Sequence, residues 1–101
     1  MRVSIDDSAP GCGPARNTYL EARAIRALEA YASRIDAVEL SISVDHGLHE
    51  GRLVVRAQGA TPVVLATKGR RMVGVLAIVF DAADDRLRAL FPALRPRGEA
   101  V

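Results

Sequence analysis

Met72-Val73-Gly74-Val75-Leu76-Ala77-Ile78-Val79-Phe80 is the stretch whose conformation decides the fold. Its residue types favour a strand, because Val73, Val75, Ile78, Val79 and Phe80 are β-branched or aromatic. On that reading Lys68-Gly69 closes a hairpin before it and Asp81 caps a short helix after it. Its spacing favours a helix. Met72, Val75, Leu76, Val79 and Phe80 run on into Ala83, Leu87 and Leu90 at near-helical intervals, across the Asp81 boundary where a strand would have ended. A strand followed by a helix gives no reason for that continuity, so the spacing predicts one helix from about Arg71 to Phe91. Pro92 and Pro96 then stop regular structure, and Arg95 and Arg97 leave a short basic tail over residues 93–101.

Working outward, Val38, Leu40, Ile42 and Val44 alternate with Glu39, Ser41, Ser43 and Asp45, the period of a strand with one wet face. A turn from Asp45 to Gly51 leads to a second alternation, Leu53, Val55 and Ala57 against Arg52, Val54, Arg56 and Gln58. The two should pair as an antiparallel hairpin, in a register that would set Glu39 opposite Arg56. Gly59 to Pro62 makes the next turn, and Val63 to Thr67 the next strand. Upstream, Thr18-Tyr19-Leu20-Glu21 fits a capping box and predicts a helix start. Leu20, Ala24, Leu28, Tyr31 and Ile35 form that helix's apolar stripe, widened by Ile25 and Ala32. Before it, Asp7 to Arg16 reads as a loop, and Met1 to Asp6 alternates as a short strand. The sum is an α+β domain, β-α-β-β-β-α, occupying residues 1–92.

The 101 residues suffice for one two-layer core and not for two. Half the residues are hydrophobic, which argues against disorder, and with 4% aromatic the core should be aliphatic. Cys12 is the sole cysteine, so neither an internal disulfide nor a Cys-Cys metal clip can form. Met1 to Asp7 does not read as a signal peptide, and Met72 to Phe80 falls well short of the roughly 20 apolar residues of a membrane span. A cytoplasmic address is expected.

Catalytic constellations are weak. His46 and His49 lie three apart beside Asp45 and Glu50, in a turn, where a solvated hairpin is the better reading than a metal site. Gly11-Cys12-Gly13-Pro14 lacks the Lys-Ser or Lys-Thr of a phosphate loop, and Cys12 has no histidine placed to activate it. Asp81, Asp84 and Asp85, followed by Arg86 and Arg88, describe a solvated helix face. Neither an enzyme nor a bound cofactor or metal is expected.

Charge distribution says more than the net charge of +2. From Arg52 through Phe80 the chain carries Arg52, Arg56, Lys68, Arg70 and Arg71 and no acidic residue, whereas Asp36 to Glu50 carries four acids and neither Lys nor Arg. If the last helix begins near Arg71, then Lys68, Arg70 and Arg71 surround its N-terminus, where free N–H groups and the helix dipole already attract an anion. That junction predicts contact with phosphate.

With these elements in view, the chain resembles the short ribosome hibernation-promoting factors, a family of bacterial ribosome-associated inhibitors. The resemblance rests on Met1-Arg2-Val3-Ser4-Ile5-Asp6, Leu28-Glu29-Ala30-Tyr31-Ala32-Ser33-Arg34-Ile35, Gly69-Arg70-Arg71-Met72 and Asp81-Ala82-Ala83-Asp84-Asp85-Arg86-Leu87. It implies four strands with both helices packed on one face, binding to the small ribosomal subunit in its mRNA and tRNA channel, and a block on translation in resting cells. It also implies contacts from basic residues on the helices, and Arg26, Arg34 and Arg86 match such positions. Arg70 and Arg71 fall outside that pattern and rest on the charge argument. Because the resemblance is to the short forms, pairing of ribosomes through the tail domain of the long forms is not expected.

The expected RNA-binding set is therefore Arg23, Arg26, Arg34, Lys68, Arg70, Arg71 and Arg86, acting through arginine–phosphate contacts with ribosomal RNA. Two alternatives stand beside it. A double-stranded RNA-binding module also reads helix, three strands, helix and places basic residues where its second helix begins. A protein-interaction module or homodimer would use Met72 to Phe80 as an interfacial strand.

Overall fold

The computed structural model describes residues 1–94; residues 95–101, with Arg95 and Arg97 of the expected basic tail, lie outside the described residues. The order is β1 (Arg2–Asp7), α1 (Pro14–Leu28), β2 (Ile35–Asp45), β3 (Leu48–Ala57), β4 (Val63–Gly69) and α2 (Met72–Leu90). Short 3₁₀ turns, Glu29–Arg34 and Pro92–Leu94, follow the two helices. The strands form one mixed sheet in the order β1-β2-β3-β4, with β1 parallel to β2 and the other neighbours antiparallel. The architecture is the predicted β-α-β-β-β-α.

The stretch Met72 to Phe80 is helical from end to end. Spacing prevails over propensity because burial is worth more. Placing a valine or isoleucine in a helix costs less than about 1 kcal/mol per residue, while burying an aliphatic or phenylalanine side chain returns roughly 1.5–3 kcal/mol. Val75, Leu76, Val79, Phe80, Ala83 and Leu87 are all buried. Leu90, at the helix's last position, stays 45% exposed.

Beneath both helices lies a single core of Leu20, Ala24 and Leu28 from α1, alternate residues of the sheet, and the buried stripe of α2. Two of the few aromatics, Tyr31 and Phe80, belong to it, so it is not purely aliphatic. Gly51 of β3 allows close approach of the layers: a β-carbon there would come within 2.5 Å of Val75 Cγ1.

Three local expectations need correction. The hairpin turn is only His46-Gly47, both with positive φ, which is the two-residue turn whose twist matches its strands. β3 therefore begins at Leu48, well before the expected Gly51 boundary. In the resulting register Arg56 faces Ala37 and Val54 faces Glu39, and the ion pair between Arg56 Nε and Glu39 Oε2 spans the diagonal at 3.1 Å.

Helix α1 also starts earlier than its capping-box sequence implies. Pro14 occupies its first turn, where a fixed φ suits the helix and a missing N–H costs nothing. The Thr18 hydroxyl donates back to the Pro14 carbonyl at 3.0 Å instead of capping, and Ile25 lies outside the buried stripe at 41% exposure.

The preceding loop is tied down by Arg16. Its guanidinium donates to both carboxylate oxygens of Asp7, at 2.5 and 2.8 Å, and to the carbonyls of Ala9 and Pro10. The Ala9 N–H donates to Asp7 as well. The hydrogen bonds from Arg16 hold the Asp7 carboxyl below the usual carboxylate range, outweighing the opposing effect of burial.

Candidate nucleic-acid interface

Helices α1 and α2 lie side by side on one face of the sheet and run in the same direction. Arg23 meets Phe80, Tyr31 meets Asp84, and the following Arg34 meets Phe91. Between the helices is a shallow groove of 270 Å³ lined by Arg23, Arg26, Ala27, Ala77, Phe80 and Asp81. Three-residue spacing sets Arg23 and Arg26 on the same flank of α1, with Arg23 half-buried and Arg26 exposed. The Arg23 guanidinium carbon lies 5.8 Å from the Phe80 ring centroid, and that of Arg34 lies 5.9 Å from Phe91. Both distances fall within cation–π range.

Below the groove, the buried Tyr31 hydroxyl donates to Asp84 Oδ1 at 3.0 Å, and Arg88 donates to Asp84 Oδ2 at 2.6 Å. Burial first, and the carboxylate partner second, push the Tyr31 phenol upward in pKa. This contact joins the 3₁₀ turn after α1 to α2.

Arg70 and Arg71 flank the start of α2, both exposed. Arg71 is the extended N-cap residue and its side chain makes no cap. The Arg70 carbonyl lies 3.1 Å from His49 Nδ1, which ties this junction to β3. Arg23, Arg26 and Arg34 thus follow α1 and its 3₁₀ extension beside α2, and Arg71 stands at the head of α2, whose 19 residues extend about 28 Å at 1.5 Å per residue. Among the described residues none of these four forms an ion pair.

Two residues of the predicted set are elsewhere. Lys68 does not converge on the helix start. Strand alternation puts it with Val64 and Ala66 on the open face of the sheet, directly across from Glu50, with Nζ 4.0 Å from Glu50 Oε2. Helical spacing sets Arg86 on the flank of α2 that carries Val75 and Ala82, away from the groove residues Ala77 and Asp81.

One residue was not singled out from the sequence. Tyr19 is 47% exposed, and with Ala22, Arg23 and Arg26 it lines a second recess of 200 Å³. Its signal was the spacing Tyr19, Arg23, Arg26, which falls on one helix flank.

The residues first weighed for other chemistry do not converge. His46 sits at the hairpin turn with Nδ1 2.9 Å from Asp45, and Cys12 is exposed in the loop before α1. Among the described residues no three His, Cys, Asp or Glu side chains gather to hold a metal, and no helix is long and apolar enough to cross a membrane.

No family model matches this chain, and no curated protein sequence does. Solved structures do. A ribosomal subunit interface protein from Coxiella burnetii superimposes with a TM-score of 0.71 at 11% identity, covering 89% of this chain and 97% of its own. The N-terminal domain of Protein Y from Thermus thermophilus gives a TM-score of 0.74 at 11% identity, covering 89% of this chain and 99% of its own. What is shared at such identity is the fold, over nearly the whole length of each neighbour.

Proposed function

We propose that this chain is a ribosome-binding inhibitor of translation, without catalytic activity, that works in the cytoplasm and contacts ribosomal RNA of the small subunit. The observation that carries this reading is the set of arginines on the helical layer, Arg71, Arg23, Arg26 and Arg34, that form no ion pair among the described residues of a fold shared with a ribosomal subunit interface protein. Arginine's planar fork suits phosphate oxygens, and Arg23 and Arg34 are pre-oriented by the rings beneath them. Arg70 and Arg86 extend the positive field beyond this set. Inhibition follows from occupancy: a rigid domain held in the path of mRNA and tRNA excludes them.

Such contacts are salt-sensitive. With on the order of four phosphates neutralised, a fourfold rise in salt lowers affinity on the order of a hundredfold. The test is co-sedimentation with purified small subunits at low and moderate salt. Failure to co-sediment at low salt defeats the proposal.

The alternatives lose support from specific observations. Lys68 has left the basic junction that favoured a double-stranded RNA module. The homodimer reading required Met72 to Phe80 as a strand, and it is a helix.

A further inference from the structure

We infer that Tyr19 is a stacking platform for an unpaired RNA base, with Arg23 and Arg26 holding the adjoining phosphates. This deepens the proposed function and rests on it. A lone exposed aromatic needs no explanation; the company that Tyr19 keeps does. Its ring shares the 200 Å³ recess with two arginines that form no ion pair among the described residues, and the remaining wall is the small side chain of Ala22. The ring contributes nothing to the α1 core stripe, which is Leu20, Ala24 and Leu28. Its hydroxyl makes no hydrogen bond among the described residues, whereas Tyr31 is buried and bonded to Asp84.

An aromatic face beside two cations, with no acidic side chain among the described residues that line the recess, matches a nucleotide: a planar base and an anionic backbone. Bases in a duplex are stacked and cannot reach the ring. The ligand is therefore a single-stranded loop, bulge or end, the form in which RNA bases are splayed onto aromatic side chains. Helical rise separates Tyr19 from Arg23 by about 6 Å and Arg23 from Arg26 by about 4.5 Å, so one extended strand can engage all three.

The test uses fluorescently labelled hexa-adenosine RNA and an abasic strand of equal length and charge, at low salt. Tyr19→Ala is expected to weaken hexa-adenosine binding roughly tenfold and to leave the abasic strand unaffected, while Tyr19→Phe keeps wild-type affinity. The chain has no tryptophan and two tyrosines, so hexa-adenosine should also quench tyrosine emission in the wild type and not in Tyr19→Ala. The inference is overturned if Tyr19→Ala binds hexa-adenosine as the wild type does, or if both strands weaken equally. It also falls if the wild type co-sediments with small subunits but ignores hexa-adenosine; the ribosome reading then survives. A wild type that binds neither overturns both.

Discussion

The groove between the helices and the open face of the sheet both carry basic side chains, but they hold them differently. On the sheet, Arg56 and Lys68 each sit beside a glutamate on the neighbouring strand. In the groove Arg23 lies over Phe80 and Arg26 is exposed, and beyond it Arg34 lies over Phe91, none with an ion pair among the described residues. Nearly neutral overall charge conceals this asymmetry. Ion pairs hold Arg56 and Lys68 and help set register, although Arg2 and Arg52 on the same sheet face form none among the described residues; between the helices the arginines are oriented by aromatic rings instead. The sharpest way to break the comparison is reversal at both groove positions. Arg23→Glu with Arg26→Glu should cut small-subunit binding a hundredfold or more at low salt, the loss of two phosphate contacts plus repulsion. Arg56→Glu should cost binding far less.

The helical layer is seated closely on β3, and Gly51 tests that seating. An added β-carbon would meet Val75 Cγ1 at 2.5 Å, and valine on a helix has little rotamer freedom to move aside. Gly51→Ala should cost about 1–3 kcal/mol as overpacking, read as a lower urea midpoint. If stability is unchanged, the helix layer is less tightly fixed than the geometry requires.

A smaller effect is expected where β1 hands over to α1. Asp7 is held by Arg16, and its folded pKa lies below the unfolded value of about 3.9. A depressed carboxyl contributes stability that is present above the unfolded pKa and is lost as pH falls through the folded one. Asp7→Asn should therefore lower the urea midpoint at neutral pH, with the gap to wild type narrowing below about pH 4. A gap that persists undiminished in acid would mean the pair is not what holds the loop.

How much of this was legible varied with how local the signal was. The apolar spacing from Met72 to Leu87 identified α2 against its own strand propensity, because a helix periodicity maintained across Asp81 has no other cause. The β2–β3 pairing was legible, but its register was not: the turn chemistry was hidden in His46-Gly47, where the commoner signal is Asn-Gly or Asp-Gly. The capping-box sequence at Thr18 to Glu21 masked a start at Pro14, since both sequences mark helix N-termini and nothing local ranks them. Arg23 and Arg26 were named from the sequence as expected RNA contacts. Their partnership with Phe80 and Tyr19 needed the fold, because no chain-local pattern reports which flank of α1 faces α2. Lys68 misled by proximity: two residues from Arg70 in sequence, it belongs to the opposite face by strand parity.

Lys68 and Arg56 also give the weakest and most discriminating expectation. Each belongs to a half-exposed cross-strand pair, worth about 0.2–1 kcal/mol. Alanine at either position should shift the unfolding midpoint only slightly. Lys68→Ala should also leave small-subunit binding and its salt dependence unchanged, while Arg71→Ala, three residues on and at the head of α2, should weaken binding severalfold and make the salt dependence shallower by about one phosphate. If the lysine matters as much as the arginine, the RNA wraps the end of the sheet and is not confined to the helical layer. The division between paired cations on the sheet and ring-oriented ones on the helices would then fail at the edge where the two meet.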